Sequence, residues 1–348
     1  MDIRILFLVN RGHAGGDIYF KNLKESLESY TDIKTDLIYI PPLFEKTPFL
    51  LPFYLKFIRK INLSKYNLIH ANAEFGHFFR TKGRPLFVTV HHIVFDDRYQ
   101  KYTSLLQKLF HYFWIKPNLS RTLRIADRVI AVSNYTKNQT VKYFRVSPQK
   151  IEVIHNGIDI EKFKPVSNKI KNTNEIRLLF VGNLIKRKGV DLLPKIMNKL
   201  EDEYVLYYTS GLRTRNIFQH KRMFSLRKLT QEELIKEYNK CDILLLPTRL
   251  EGFGYAVAEA MACGKPVVTT NCSSLPEIVK NGENGFLCEM NNVDDFVEKI
   301  KILEGNKKLR EKIGKVNRRK IVQNFSLEKM VKRYTKLYKT LIKQNESS

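Results

Sequence analysis

Two glutamates, Glu251 and Glu259, stand eight positions apart in the stretch RLEGFGYAVAEAMACGKPVVTT, residues 249–270. Glu251 lies in a glycine-rich segment, whereas Glu259 lies in an alanine-rich segment that carries no other charge. Because burying an unpaired carboxylate is costly, a buried glutamate here implies a binding partner. Two carboxylates that converge can bind the hydroxyl groups of a single ligand. The alternative is a solvated loop charge at Glu251 and a salt bridge from Glu259 to a core arginine.

The residues on either side of the glutamates predict one βαβ unit. The apolar run CDILLLPT (241–248) is typical of a buried parallel strand, and YAVAEAMAC (255–263) is typical of a helix. Gly264 predicts the left-handed residue that ends this helix, and the β-branched run VVTT (267–270) predicts the next strand. The loop that carries Glu251 therefore follows the carboxyl end of a strand, where open α/β sheets bind ligands.

The predicted helix begins directly after this loop and provides an anion site. The amides of Phe253, Gly254 and Tyr255 lie at the positive end of the helix, where acceptors within the helix are lacking. Helical side chains lean towards the amino end, so Glu259 is expected to point back over the loop. This combination predicts a ligand with hydroxyl groups for the carboxylates and a phosphate for the amides.

The length and composition are those of a globular protein with two domains. The chain has 348 residues, of which 43% are hydrophobic. No apolar run is long enough to predict a membrane-spanning helix, and the opening MDIRILFLVNRG predicts a strand rather than a signal peptide. The four cysteines show no C-x-x-C spacing. They are expected to be reduced, buried thiols, which favours a cytoplasmic location.

The net charge of +26 is unusually high and results from 61 basic and 35 acidic residues. A basic surface favours polyanionic partners, namely nucleic acid, anionic lipid or phosphorylated small molecules. The chain contains no helix-turn-helix, zinc-finger or RNP-type pattern, so nucleic acid is not an expected partner. A general preference for lysine in the lineage is the alternative explanation of the charge.

Strand-like and helix-like segments alternate in two series along the chain, which predicts parallel sheets covered on both faces. The first series starts at RILFLVN (4–10), and the second starts at IRLLFVG (176–182) after a polar segment. We therefore predict two Rossmann-like domains of the α/β class, at 1–160 and 161–327. A terminal helix is predicted at about 328–345.

The stretch with the two glutamates resembles the E-x7-E signature of retaining GT-B glycosyltransferases of family 4. VGNLIKRKGVDLL (181–193) resembles that family's donor-phosphate segment, LTQEELIKEYNKCDILLLPT (229–248) its base-binding region and VIHNGID (153–159) its interdomain segment. The resemblance extends over most of the chain. It implies the GT-B fold, with two Rossmann-like domains facing across a cleft and a terminal helix that crosses back to the first domain.

The functional residues of the family carry over to the matching positions. The resemblance implies that Glu259 binds the ribose of the donor nucleotide, that Glu251 lies near the transferred sugar, and that Lys188 binds the donor phosphates. The implied catalytic residues are His91, Lys188 and Glu251. The implied donor-binding residues are Gly15, Gly16, Asn183, Arg187, Lys188, Leu229, Glu251, Gly252, Phe253, Gly254, Tyr255 and Glu259. No metal and no other cofactor is implied, because the nucleotide-sugar is a substrate.

One position departs from the family's pattern. Asn183 stands where the family usually has an arginine, so Arg187 or Lys186 is a candidate to supply that charge. Without the resemblance, the stretch KRK at 186–188 would be interpreted as a solvated basic turn.

Two features of the predicted first domain also match the family. GHAGGD (12–17) resembles the glycine loop that approaches the donor diphosphate and the acceptor, and Gly15 and Gly16 would permit a close backbone approach. His91 ends the strand LFVTVH and matches the family's active-site histidine, near the 6-position of the sugar. The adjacent His92 is the alternative.

These observations predict a retaining, metal-independent glycosyltransferase. Its partners would be a nucleotide-sugar donor (a UDP-, GDP- or ADP-sugar) and a glycan or lipid-linked acceptor. One alternative is a GT-B scaffold without transferase activity that acts as a peripheral membrane or polyanion-binding protein. The other is a GT-B phosphorylase or epimerase.

Two segments of the first domain mix aromatic with basic residues, at 47–62 and 99–116. The first contains Lys56, Arg59 and Lys60, and the second contains the only tryptophan. Such segments suit an anionic membrane surface, which predicts peripheral docking on the inner face of the cell membrane. The alternative is that their aromatic residues, Phe113 and Trp114 in particular, belong to the core.

Overall fold

A computed structural model of the chain describes residues 2–10, 15–40, 62–166, 175–210 and 220–347. The chain forms two compact units, one from Met1–Gly157 with Leu327–Ser348 and the other from Ile158–Ser326. The predicted boundaries were after residues 160 and 327. Of the two segments rich in aromatic and basic residues, 47–61 lies outside the described residues.

In the described part of the first unit, six parallel strands form one sheet in the order β2-β1-β3-β4-β5-β6. The strands are β1 Arg4–Asn10, β2 Lys34–Ile40, β3 Leu68–Asn72, β4 Leu86–Val90, β5 Arg128–Ala131 and β6 Ile151–Val153. Phe7 of β1 lies opposite Leu37 of β2 on one side and His70 of β3 on the other. Every residue of β4 is buried, as expected for a parallel sheet with both faces covered.

The described helices of the first unit cover this sheet and include the last described helix of the chain. They are α1 Gly15–Tyr30, α2 Asp97–Gln100, α3 Leu105–Phe110, α4 Lys116–Ile125, α5 Asn134–Phe144 and α12 Leu327–Glu346. Met330, Tyr334 and Tyr338 of α12 share one apolar core with Tyr19 and Phe20 of α1. The terminal helix therefore packs in the first unit, as predicted.

In the described part of the second unit, another six parallel strands form a sheet in the order β12-β11-β10-β7-β8-β9. The strands are β7 Ile176–Phe180, β8 Tyr204–Tyr208, β9 Met223–Ser225, β10 Ile243–Leu246, β11 Val267–Thr270 and β12 Phe286–Cys288. The described helices are α6 Leu193–Lys199, α7 Gln231–Lys240, α8 Tyr255–Ala262, α9 Leu275–Ile278, α10 Val293–Glu304 and α11 Lys307–Asn324.

The predicted α/β fold class is confirmed, since parallel strands alternate with helices in both units. Gly264 ends helix α8 with a φ of +71°, as predicted. All four cysteines are buried and none forms a disulfide, as predicted. Strand β9 was not predicted, because an edge strand of three residues with only Met223 buried carries too little pattern. No helix among the described residues is both long and apolar enough to cross a membrane.

Candidate active site

The loop between β10 and α8 holds Glu251 and ends at Gly254. Gly254 has a φ of +103°, in the left-handed region that glycine adopts most easily. A Cβ at this position would lie 2.8 Å from a methyl carbon of Leu275, so a side chain has no room. Helix α8 then begins with a bond from the Ala258 amide to the Gly254 carbonyl. The preceding amides have no acceptor within the helix, which leaves a region of positive potential beside the loop.

Glu251 is buried, with 7% of its surface exposed, and it pairs with Lys188. The Nζ atom of Lys188 donates a hydrogen bond of 2.6 Å to Oε1 of Glu251. Two serines hold the backbone of Glu251: its amide donates to Oγ of Ser273 at 2.9 Å, and Oγ of Ser274 donates to its carbonyl at 3.2 Å. The alternative that Glu251 is a solvated loop charge is therefore wrong.

Lys188 lies in a 3-10 turn, Lys186–Lys188, that follows strand β7. The turn ends at Gly189, which has a φ of +73° and packs against Pro247, the residue after β10. A Cβ at Gly189 would lie 1.8 Å from the carbonyl oxygen of Pro247. Glycine at this position therefore allows the basic turn to pack directly on the segment that leads to Glu251.

Replacing Gly189 tests this packing, and Gly282 provides a matched control. Their φ values are +73° and +75°, but nothing lies within 4 Å of a Cβ at Gly282. We expect Gly282→Ala to lower the free energy of unfolding by about 1–2 kcal/mol, the usual cost of left-handed backbone in an alanine. Gly189→Ala should lower it considerably more, because the backbone must also move. Chemical denaturation measures both values, and equal losses would contradict the packing described.

An ion pair beside this turn, with a buried guanidinium and a half-exposed carboxylate, was not predicted. Arg249, with 6% of its surface exposed, donates to both carboxylate oxygens of Asp191, at 2.6 and 2.8 Å. The same guanidinium donates to the carbonyl of Lys186 and, at 2.7 Å, to Oδ1 of Asn291. Because a bidentate pair fixes geometry, Arg249 ties the basic turn to the loop that carries Glu251.

Three further residues with predicted donor contacts lie on the same unit. Arg187 is half-buried, and its Nη1 atom donates to the carbonyl of Leu250 at 3.0 Å. Asn183 is exposed. Leu229 is half-buried and immediately precedes Thr230, the N-cap residue of helix α7. The structure thus brings Arg187, like Lys188, to the Glu251 loop, whereas the side chain of Asn183 stays at the surface.

Glu259 lies in helix α8 and contacts helix α7. The hydroxyl of Tyr238 donates a hydrogen bond of 2.7 Å to Oε2 of Glu259. The partner is thus a buried phenol, so the alternative of a salt bridge to a core arginine is wrong. Burial raises the pKa of the Glu259 carboxyl to about 7, although the hydrogen bond from Tyr238 acts in the opposite direction. A ligand that donates hydrogen bonds to the ionised form would lower this pKa again.

In the first unit, side chains at the ends of two adjacent strands meet the start of α1. A Cβ at Gly16 would lie 3.6 Å from Nε2 of His91, which follows β4, and 4.0 Å from Nδ2 of Asn72, which ends β3. Nε2 of His91 and Oδ1 of Asn72 are buried and have no hydrogen-bond partner among the described residues. Buried polar atoms are normally satisfied, so this place is a second candidate binding site. Gly15 begins α1, and residues 11–14 of the glycine loop lie outside the described residues.

His91 is a neutral side chain. Burial, with a smaller contribution from the charge of His92, lowers the pKa of His91 to about 3. The ring of Tyr19 packs edge-on against it, with 4.8 Å between ring centroids. Its Nε2 atom can exchange a hydrogen bond with a ligand hydroxyl, but the ring supplies no positive charge. His92 instead stacks on Tyr99 at 5.5 Å.

A network of buried hydroxyl groups lies beneath His91 and joins α12 to the sheet. The hydroxyl of Tyr19 hydrogen-bonds those of Tyr334 and Thr89. The two ring nitrogens of His70 bond Thr89 and Tyr338, each at 2.7 Å. Every bond in the network joins parts of the chain that are distant in sequence. The network therefore fixes the position of the Tyr19 ring, which packs on His91.

Three residues of these sites were missed in the sequence: Asn72, Tyr238 and Arg249. Asn72 had a usable signal, since it ends a strand adjacent to β4 just as His91 follows β4. Tyr238 and Arg249 had none, because nothing in their spacing identifies partners so distant in the chain. Within the described ranges, no group of three or more His, Cys, Asp or Glu side chains is arranged to hold a metal ion.

Two family models match adjacent parts of the chain. The model described as glycosyl transferases group 1 matches residues 160–320. The model described as glycosyltransferase family 4 matches residues 10–162. Both sites described above, around Glu251 and around His91, fall within these matches.

Several curated proteins are similar in sequence. A capsular polysaccharide biosynthesis glycosyltransferase of Staphylococcus aureus is 30% identical over 260 residues, which are 69% of this chain and 68% of that protein. The UDP-Gal:alpha-D-GlcNAc-diphosphoundecaprenol alpha-1,3-galactosyltransferase of Escherichia coli is 26% identical over 345 residues, 90% of this chain and 87% of that protein. An uncharacterized glycosyltransferase of Methanocaldococcus jannaschii is 33% identical over 224 residues. That match covers 62% of this chain and spans only 60% of the relative's length.

Solved structures share the fold. Sucrose-phosphate synthase of Thermosynechococcus elongatus aligns with a TM-score of 0.81 at 19% identity, covering 98% of this chain and 100% of that one. The HepE protein of Anabaena, in complex with UDP-glucose, aligns with a TM-score of 0.74 at 18% identity, covering 97% and 100%. Together with the family models and the relative from Staphylococcus aureus, these likenesses show that the chain belongs to the glycosyltransferases with the GT-B fold.

Proposed function

We propose that this chain is a retaining glycosyltransferase of family 4. It would transfer a sugar from a UDP-, GDP- or ADP-sugar to a hydroxyl group of a lipid-linked or glycan acceptor, without a metal ion. The observation that carries the proposal is the buried contact between Lys188 and Glu251, 2.6 Å long, in the loop before helix α8. A cation and a helix amino terminus beside one loop suit the diphosphate of a nucleotide-sugar.

Lys188 and the amino end of α8 would act directly on the bond that breaks. The bond between the anomeric carbon and the diphosphate oxygen breaks, and its electron pair leaves with the diphosphate. Lys188 and the amino end of α8 stabilise the negative charge that grows there. The acceptor oxygen bonds to the anomeric carbon on the same face, and its proton passes to the departing diphosphate, so the configuration is retained.

The remaining contacts orient the donor. Glu259 would accept hydrogen bonds from the ribose hydroxyls, and Glu251 from hydroxyls of the transferred sugar. His91 would hydrogen-bond the sugar through Nε2, which is buried and has no partner in the described part of the chain. The name of the Escherichia coli relative includes a diphosphoundecaprenol acceptor, which supports a lipid-linked acceptor here. The complex of the Anabaena protein supports UDP as the first nucleotide to test.

The identity of the nucleotide is testable with the purified protein. We expect one of UDP, GDP and ADP to raise the melting temperature clearly more than the other two, because a ligand of the folded state stabilises it by mass action. At a concentration of about 100 times Kd the gain is about 2.7 kcal/mol. The measurement is a thermal-shift series run twice, once with chelator and once with divalent metal in place of the chelator. A shift that appears only when divalent metal is added would contradict metal independence, and no shift with any nucleotide would contradict the proposed donor.

A further inference from the structure

Helix α3, Leu105–Phe110, projects from the first unit with apolar side chains in solvent. All six of its residues are exposed. Leu105 and Leu106 have 73% and 79% of their surface accessible, whereas scattered apolar residues elsewhere on the surface are mostly less exposed. Two adjacent leucines exposed to this extent are unusual, because removing leucine side chains from water is favourable.

Local sequence signals, rather than burial, form this helix. Ser104 and Gln107 make a complete capping box: the Ser104 hydroxyl accepts from the Gln107 amide, and the Gln107 side chain accepts from the Ser104 amide. A π-helical turn, His111–Ile115, continues α3 directly into α4. Leu119 and Leu123 anchor α4 in the core of the first unit. Helix α3 is therefore the exposed end of a helical segment whose other end is packed in the core.

The apolar surface continues past α3 into the π-helical turn. Phe113 is 70% exposed and Tyr112 is 58% exposed. The alternative that Phe113 belongs to the core is therefore wrong. Trp114 is half-buried and packs with Phe75 and Ile115, so for this residue the core interpretation is correct in part. We name the exposed set the α3 surface; it consists of Leu105, Leu106, Leu109, Phe110, Tyr112 and Phe113.

The charged residues nearest to the α3 surface in the sequence have one sign. No acidic residue occurs between Asp97 and Asp127 in the sequence. Lys108 lies within α3, and Lys101 and Lys116 lie on either side of the α3 surface in the sequence; all three are exposed. Nζ of Lys116 lies 4.9 Å from the ring centre of Tyr112. Apolar and cationic groups are thus presented together.

We infer that the α3 surface docks on a bilayer that contains anionic lipid. Leucine and phenylalanine side chains would enter the boundary between headgroups and acyl chains, while the lysines contact lipid phosphates. A second copy of this chain is a poorer occupant, because the contact would bring lysines of like charge together. Nucleic acid would account for the lysines but leaves Leu105 and Leu106 without a partner. Membrane docking goes beyond sugar transfer, since it needs neither donor nor acceptor.

Cosedimentation with lipid vesicles tests this inference on the whole protein without any substrate. We expect binding to vesicles of phosphatidylcholine mixed with phosphatidylglycerol, weaker binding at high salt, and little binding to phosphatidylcholine alone. Emission of Trp114, the only tryptophan, should shift to shorter wavelength on binding. Changing Lys101, Lys108 and Lys116 together to Gln should weaken binding about a hundredfold, at about fivefold for each lysine.

Matched variants separate the α3 surface from general properties of the protein. Leu105→Ser, Leu106→Ser and Phe113→Ser combined should abolish binding. Val166→Ser, Phe224→Ser and Ile302→Ser combined should not, although these three residues are also exposed. For charge, the control changes Lys307, Lys308 and Lys312 of α11 to Gln, which removes the same charge from the second unit.

Three outcomes would overturn the inference. Absence of binding to anionic vesicles is the first, and equal losses in the α3 variants and their controls are the second. The third is a dimer in analytical ultracentrifugation that the change of Leu105, Leu106 and Phe113 to serine dissociates, because the surface would then join two copies. Nucleotide-induced thermal shifts should be the same in all of these variants, so failure of docking would leave the proposed transfer reaction intact.

Discussion

Replacing Lys188 by alanine is expected to lower the turnover number by about 10²-fold or more, the scale of losing one preorganised electrostatic stabiliser. Negative charge on the departing diphosphate grows as the anomeric bond breaks, so a cation placed there acts mainly on the transition state. Turnover should therefore fall more than donor affinity changes. Initial rates at saturating donor and acceptor, with the nucleotide released as the signal, measure the effect.

The buried pair with Glu251 complicates this substitution, because alanine at 188 leaves a carboxylate without its cation. Removing one partner of a buried pair costs about 3–5 kcal/mol of stability. Circular dichroism must therefore verify that the variant is folded. Lys188→Arg is a second variant, which keeps the positive charge on a side chain of different length and shape. Lys195→Ala, an exposed residue of α6, removes the same charge from the same unit and should leave turnover unchanged. If Arg187→Ala abolishes turnover and Lys188→Ala does not, the phosphate-binding residue is Arg187.

The fold could be predicted from the sequence because its signals are local and repeated. Strand β10 is an uninterrupted apolar run, and β1 contains one from Ile5 to Val9; buried parallel strands need no alternation. Gly264 marks the end of α8 because only a residue that tolerates a positive φ fits there. Strand β9 lacks such a signal. Its three residues pair at the edge of the sheet, where pairing is set by β8 rather than by its own composition.

The candidate site could be predicted only as a set of residues. Spacing and composition indicated that Glu251 and Glu259 are unusual, and the family resemblance added Lys188. Neither specified that Lys188 meets Glu251 across 63 positions, or that Glu259 meets Tyr238 across 21. Such contacts depend on which strands are neighbours and on the register between them. Neither the order nor the register can be inferred from spacing and composition.

The exposure of individual aromatic side chains was equally difficult to predict from composition. Phe113 and Trp114 are adjacent and similar in type, yet Phe113 is largely exposed and Trp114 packs on Phe75. Neighbouring residues of a helix point in different directions, so one can face the core while the other faces solvent. The π-helical turn, His111–Ile115, also interrupts the regular period from which faces are assigned. A helical periodicity of 3.6 residues assigns faces correctly only where the helix is regular.

Replacing Glu259 by glutamine is expected to weaken binding of the donor nucleotide by about 10- to 100-fold, because hydrogen bonds to a charged acceptor contribute about 1.5–3 kcal/mol. The raised pKa of about 7 makes this interaction dependent on pH in the unaltered protein. Ribose hydroxyls bind the ionised carboxylate better than the protonated one, so affinity should fall as pH drops through about 7. Isothermal titration calorimetry between pH 5 and pH 9 measures this dependence, which Glu259→Gln should remove.

The same shift predicts how the free protein responds to pH. The folded pKa of Glu259 lies above the ordinary value of 4.5, so the folded state binds more protons than the unfolded state between about 4.5 and 7. The contribution of this group to stability is therefore present at low pH and is lost as pH rises through that window. Glu259→Gln should be more stable than the unaltered protein near pH 8 in the absence of nucleotide, whereas bound nucleotide should reverse the order.

Tyr238→Phe provides the decisive control, because it keeps the buried ring and removes only the hydroxyl that bonds Glu259. That hydrogen bond lowers the pKa of the carboxyl, so its loss should move the midpoint of nucleotide binding to higher pH. Thermal denaturation verifies that the variant is folded. A midpoint that does not move in Tyr238→Phe, or a folded Glu259→Gln protein that binds nucleotide normally, would show that Glu259 is not the ribose-binding carboxylate.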